Sequence, residues 1–313
     1  MTHSICILAG GLSHERDVSI RSGRRVAEAL RELGHDVSVR DVDQNLLPAL
    51  AATRPDCVIP LLHGATGEDG SLRDVLHGTG MPYVGSTPDA CRLSFDKMIA
   101  RRLVSQAGVP VAPAVALPHP MFRDLGAAAV LDAVVEHVGL PLVVKPTRGG
   151  SALGASLVRD AADLPSAMVA CFSYGDTAML EAHVSGTEVA VCVAEDPAGV
   201  LVALPAVEII PDSDLYDYAC RYTAGTTEFH VPARLSPHVA ARCAEVALAA
   251  HRVLGLRHLS RADLIVTPDG NVTFLEVNVA PGCTETSLLP QAVAAAGWDL
   301  GQLFATLVDR ACG

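Results

Sequence analysis

Lysine is nearly missing from this chain: of its 23 basic residues only Lys97 and Lys145 are lysine, and the rest are arginine. Aromatic residues are scarce too, at 4%, so any core must be largely aliphatic. No apolar run reaches the ~20 residues that a helix needs to cross a bilayer. The start, MTHSICILAGGLSHERD, lacks a basic region, and its short apolar run stops at Gly10-Gly11, so it does not read as a signal peptide. Positive charge is in deficit, with 23 basic against 35 acidic side chains and a formal net charge of −12. Without basic clusters or interleaved aromatics, nucleic-acid binding is excluded. The 9 cysteines are scattered with no C-x-x-C, and the 12 histidines include no H-E-x-x-H. Reduced, buried thiols in a cytoplasmic protein are expected rather than disulfides or zinc.

Half of the 313 residues are hydrophobic, enough for a sizeable core, and the length suits two or three lobes. Ser4–Ala9, Asp36–Val42 and Cys57–Leu62 read as buried strands, each followed by a helical segment, the first over 16–33. That alternation predicts a parallel α/β sheet with ligands at the carboxyl ends of its strands. Two polar glycine-bearing loops fall there, GGLSHERDVS (10–19) and HGATGEDG (63–70). The first lacks G-x-G-x-x-G and carries Glu15 where a pyrophosphate prefers amides, which argues against a nicotinamide enzyme. Glu15 suits an ammonium group, or simply favours the helix N-terminus.

Further on, helices are expected at 97–107, 127–138, 161–171, 236–255 and from 287, and strands at 140–146, 157–158, 178–182, 187–194 and 200–207. Lys145 leaves its strand into TRGGSALGAS, which can cradle a phosphate with backbone amides or form a plain surface hairpin. The loop is not a Walker A sequence. Residues 208–233 read as a long irregular segment, which favours a lid. The hairpin signal Asp269-Gly270 predicts Asp263 opposite Glu276 and Arg261 opposite Asn278, with these side chains on one face. Two opposed carboxylates need a cation between them. Arg261 supplies one as an internal salt bridge, or Mg²⁺ does, held by carboxylate, carboxylate and amide oxygens with phosphates completing its shell.

Two lysines, a glycine-rich loop, a candidate Mg²⁺ hairpin and a lid describe a nucleotide site without a Walker motif. At GGLSHERDVS, HGATGEDG, SFDK, VVKPTRGGSALG, LYDYACRY, SRADL and EVNVAPGCTETSLLP, in this order, the sequence resembles the ATP-grasp fold and, within it, the D-alanine–D-alanine ligase family. The resemblance implies three lobes: a parallel-sheet α/β domain over 1–96, then α+β subdomains over 97–182 and 183–313, the last with the lid at 208–233. It implies ATP phosphates on Lys97 and Lys145, Glu181 near the adenine and Glu188 on the ribose. Two Mg²⁺ ions, replaceable by Mn²⁺, would lie on Asp263, Glu276 and Asn278. The first D-alanine's ammonium would meet Glu15, with His63 close by and Ser151 and Tyr222 bonding to that glutamate. Arg261 and the Gly282 amide would stabilise an oxyanion, and Ser287 with Leu288 would receive the second substrate's carboxylate.

The implied activity is ATP-dependent joining of two D-alanines for peptidoglycan precursors. The alternative is a ligase of specialised metabolism acting on another D-amino acid. A homodimer is the family expectation. Three features depart from the family pattern. Arg221 stands where a lysine usually points at the γ-phosphate, Val279-Ala280 replace a commonly hydroxyl-bearing pair, and Cys283 replaces a usual methionine.

Overall fold

Strands β1 (Ser4–Leu8), β2 (Asp36–Arg40) and β3 (Cys57–Pro60) form a parallel sheet in the order β2-β1-β3. The structure is a computed structural model that describes residues 2–223 and 225–313, with the side chains of Ala219 and Tyr222 outside the described residues. Helix Arg16–Glu32 covers this sheet with Val18, Val26, Ala27 and Leu30 buried, the spacing that one helix face requires. Its Gly23 is needed for close approach, because a Cβ there would lie 2.5 Å from that of Ala9.

A second sheet is antiparallel, ordered β4-β7-β5-β6, from β4 (Ala114–Pro118), β5 (Leu142–Pro146), β6 (Ser156–Val158) and β7 (Thr177–Ala182). The third runs β11-β10-β8-β12-β13, with β9 also on β8. Its members are β8 (Thr187–Glu195), β9 (Leu201–Ala203), β10 (Val207–Pro211), β11 (Thr227–His230), β12 (Leu259–Val266) and β13 (Val272–Asn278). Both faces of β12 are buried, which explains its unbroken apolar and small-residue pattern apart from Arg261 and Asp263. The central sheet has its own core, including Leu142, Val158, Met168 and Leu180. The first and third sheets share one, in which Ile5, Ile7 and Leu30 join Cys192, Val207, Leu289 and Phe304.

Three local expectations need correction. The expected strand at 200–207 is broken into β9 and β10, because Pro205 between them lacks an N–H for the ladder. Residues 208–233 are not irregular throughout: β10 and β11 pair at their two ends, Glu208 with His230 and Pro211 with Thr227, so only the middle is free of the sheet. The third concerns the turn. Thr267 and Asn271 close a three-residue loop, with Gly270 left-handed at φ 86°, which displaces the register by one residue from that of a two-residue turn. A bulge beyond Asp263 then restores the register, so Asp263 does face Glu276 and Arg261 does face Asn278.

Candidate active site

The three sheets enclose one cleft whose larger part is a cavity of about 540 Å³. Lys97, Lys145, Glu181, Glu188, Asp263 and Glu276 line it, together with Arg221 from the lid segment. A narrower part adjoins it and shares Lys97, Gly150, Arg221 and Glu276, adding Glu15, His63, Arg261, Asn278, Gly282, Ser287 and Leu288. Ser151 lines it as well. Of the residues singled out in the sequence, the Tyr222 side chain lies outside the described residues. The rest converge on this cleft.

In the larger part, Lys145 of β5 meets Glu181 of β7 at 2.8 Å, and Glu181 also accepts from Arg101. The carboxylate is 3% exposed and neutralised from both sides. Burial lowers the Lys145 pKa, but Glu181 and Glu276 outweigh it and hold the ammonium above its ordinary value. Lys97 starts the helix Lys97–Gln106, which Asp96 caps by accepting from Met98 and Ile99. Its Nζ donates to the Gly149 carbonyl at 2.7 Å and lies 3.3 Å from Glu276. Burial opposes ionisation of Glu276, yet Lys97, Lys145, Arg221 and Arg261 pull its pKa down to about 2. Glu188 has no such balance: burial, then repulsion by Asp263 and Glu276, pushes it up to about 7 despite Arg221.

The hairpin presents both cations and hard oxygens. Arg261 Nε and Nη2 grip the two oxygens of Asp263 at 2.7 and 2.8 Å, so the internal salt bridge is real. Asn278 Oδ1 accepts from the Ala280 amide. No three His, Cys, Asp or Glu side chains converge tightly enough to hold a metal alone among the described residues. The donor chemistry nevertheless suits Mg²⁺, which takes one or two carboxylates and fills its shell from phosphates and water.

In the narrower part, the loop after β5 folds back with Ser151 and Ala152 left-handed at φ 50° and 55°. This aims the Ser151 hydroxyl at Glu15 Oε1, to which it donates. Glu15 is 5% exposed, and burial raises its pKa against the pull of Ser151, Arg221, Arg261 and Lys97. His63 is held neutral, its pKa lowered to about 4 by burial. Its Nε2 finds no partner among the described residues. Gly282 sits beside Ser287, where a Cβ would approach Ser287 Oγ to 2.8 Å. The result is a buried carboxylate, a guanidinium paired with Asp263 and a backbone amide near one another, next to a chamber lined by both cations and carboxylates.

Sequence reasoning missed three residues. Glu68, 3.9 Å from His63, is pushed up to about 8 by burial and by Glu15, so two neutral groups meet there rather than an ion pair. Arg101 is buried one helical turn after Lys97, and the i, i+4 spacing of two cations on a helix's apolar face was the available signal. Tyr216 lies inside LYDYACRY but carries no charge to mark it.

The D-ala D-ala ligase C-terminus family model matches residues 103–309. D-alanine–D-alanine ligases of Anaeromyxobacter sp. (strain Fw109-5) and Moorella thermoacetica are 40% and 36% identical over 307 residues, covering 98% of this chain and 96% and 98% of theirs. Among solved structures, the VanG D-Ala:D-Ser ligase of Enterococcus faecalis superposes at TM-score 0.82 and 26% identity over 99% of both chains. The D-alanine–D-alanine ligase of Bacillus anthracis does so at 0.80 and 27%, over 98% of this chain and 96% of that one. Sequence and fold agree over nearly the full length, and the chain belongs to the D-alanine–D-alanine ligase family.

Proposed function

We propose that this chain is an ATP-dependent ligase that joins two D-alanines into D-alanyl-D-alanine through an acyl phosphate, in the cytoplasm, for peptidoglycan precursors. One observation carries the reading: Glu15, held by Ser151, and the Arg261–Gly282 pair lie in a narrow pocket opening onto the cation-lined chamber. A carboxylate acylates poorly, so ATP activates the first D-alanine, with Lys97, Lys145 and Arg221 offsetting charge on the transferring phosphoryl group. Glu15 anchors that D-alanine's ammonium. The second amine attacks the activated carbonyl, Arg261 and the Gly282 amide stabilise the oxyanion, and phosphate leaves. Asp263, Glu276 and Asn278 would hold two Mg²⁺ ions, which supply neutralisation of the phosphate oxygens. The lid between β10 and β11 excludes water that would hydrolyse the acyl phosphate. Glu181, Glu188, His63, Ser287, Leu288 and Tyr222 keep the roles given above, and the enzyme acts as a homodimer.

Phosphate release with ATP, Mg²⁺ and a panel of D- and L-amino acids, with mass detection of products, tests this reading. Phosphate and D-alanyl-D-alanine are expected from D-alanine alone. Phosphate release with another D-amino acid and no D-alanine dipeptide overturns it.

A further inference from the structure

Among the described residues Arg221 is a cation of the cleft with no carboxylate within ion-pair distance; its position is set by Tyr216. The guanidinium carbon lies 4.3 Å from the centre of the Tyr216 ring. Its Nε donates to the Tyr216 carbonyl at 3.2 Å, so ring and backbone of one residue grip the same side chain. The ring itself is fixed. Tyr216 is 6% exposed within the core shared by the first and third sheets. It meets Phe229 of β11 edge-on, with centroids 6.4 Å apart and planes at 81°. So held, Arg221 lines both parts of the cleft, where its charge opposes the rise that burial imposes on Glu15 and Glu188 and adds to the lowering of Glu276.

A lysine would be held less firmly, because its ammonium can sit over the ring but has no planar face to stack on it and no second nitrogen for the backbone carbonyl. An unheld lysine or arginine in a lid would have to be ordered when phosphate arrives, which costs affinity. We propose that Tyr216 is a positioning residue that preorganises the Arg221 guanidinium as the lid's phosphate clamp. The proposal rests on the nucleotide reading above and adds to it the residue that makes arginine workable at this position. Electrons and bonds are untouched; the contribution is geometric, and its main readout is nucleotide affinity.

A double-mutant cycle on the full chain tests it. Binding of a non-hydrolysable ATP analogue with Mg²⁺ is measured by calorimetry, and phosphate release with D-alanine by steady-state kinetics, for Tyr216→Leu, Tyr216→Phe, Arg221→Lys and Tyr216→Leu/Arg221→Lys. Tyr216→Leu is expected to weaken analogue binding and raise KM for ATP about fivefold, the scale of a partly desolvated cation–π contact. KM for D-alanine should move less than about twofold, a change too small to count against a contact of that size. Tyr216→Phe keeps the ring and should keep the affinity, while in the Arg221→Lys background Tyr216→Leu should cost clearly less than in the parent. An equal loss in both backgrounds, or a matching rise in KM for D-alanine, overturns the proposal in favour of simple lid packing. Should Tyr216→Leu fail to fold by circular dichroism, Arg221→Lys carries the test, and undiminished analogue binding in that folded variant overturns it. Failure of the parent protein to bind the analogue overturns the nucleotide reading instead.

Discussion

Arg261 and Asp263 form a bidentate pair with both side chains buried, and removing one member strands the other. Arg261→Ala therefore has two expected costs: loss of the oxyanion stabilisation proposed for it above, and an unpaired buried carboxylate worth about 3–5 kcal/mol of stability. Arg261→Lys restores a charge but not the fork, so it should recover much of the stability while turnover stays down by about a hundredfold or more. Urea unfolding beside phosphate release separates the two effects, and an alanine variant as stable as the parent contradicts the pairing argument. Glu68 offers the opposite case. Burial and the nearby Glu15 raise its pKa from an ordinary 4.5 to about 8. The folded chain then holds a proton that the unfolded chain sheds, so this residue's contribution is full below pH 4.5 and is lost as pH rises through 8. Glu68→Gln mimics the protonated form and can still accept from the Gly64 amide. Its Tm should match the parent's near pH 5 and exceed it near pH 8.5; parallel curves would sink the assignment.

The hairpin β12–β13 shows what sequence periodicity can and cannot convey. Alternation and the Asp-Gly signal placed Asp263 opposite Glu276 and Arg261 opposite Asn278, and the structure has those pairs, yet by another route. A left-handed Gly270 shifts the register by one residue, and the bulge shifts it back. Turn chemistry is local and legible, whereas a bulge reflects how a strand bends over the core beneath it and leaves no mark in a single sequence. Gly270→Ala tests the element directly. The position has φ 86°, and an added Cβ would come within 3.3 Å of Val239, so a loss of about 1–2 kcal/mol is expected. ATP-dependent turnover at permissive temperature should be spared, since the turn points away from the cleft-lining end of the hairpin; equal loss of both would show that the turn sets the site's register. The same limit hid Glu68 and Arg101. Their neighbours, Glu15 and Glu181, come from segments far away in the chain, and contacts between distant segments have no period to read.

Across the whole molecule, the scarcity of lysine gains a structural meaning. Both lysines stand in the cleft and are paired with Glu276 and Glu181, so the only two ammonium side chains of the sequence meet in one site. A second whole-molecule feature lies at the seam joining the first and third sheets. His258, left-handed at φ 67°, accepts the Gly85 amide on Nδ1 at 2.9 Å, and its own amide donates to Glu195. His251, fully buried, shares a hydrogen bond with Ser260 at 2.8 Å. Burial, the largest cause for each, lowers both pKa values from 6.5 to about 4. Here the unfolded chain binds protons that the folded one refuses between pH 6.5 and 4, so stability is full above 6.5 and declines as pH falls through that window. Each histidine should cost about 2 kcal/mol on going from pH 7 to pH 5. Glu68 acts in the other direction over part of this range, so the informative quantity is the difference between variants rather than the parent's slope. His251→Gln keeps a hydrogen-bonding group beside Ser260 without the titration. Its stability by urea unfolding should be lower than the parent's at pH 7.5, with the gap closing by about 2 kcal/mol at pH 5. A gap that stays constant from pH 7.5 to 5 would mean that the seam takes up a proton without loosening.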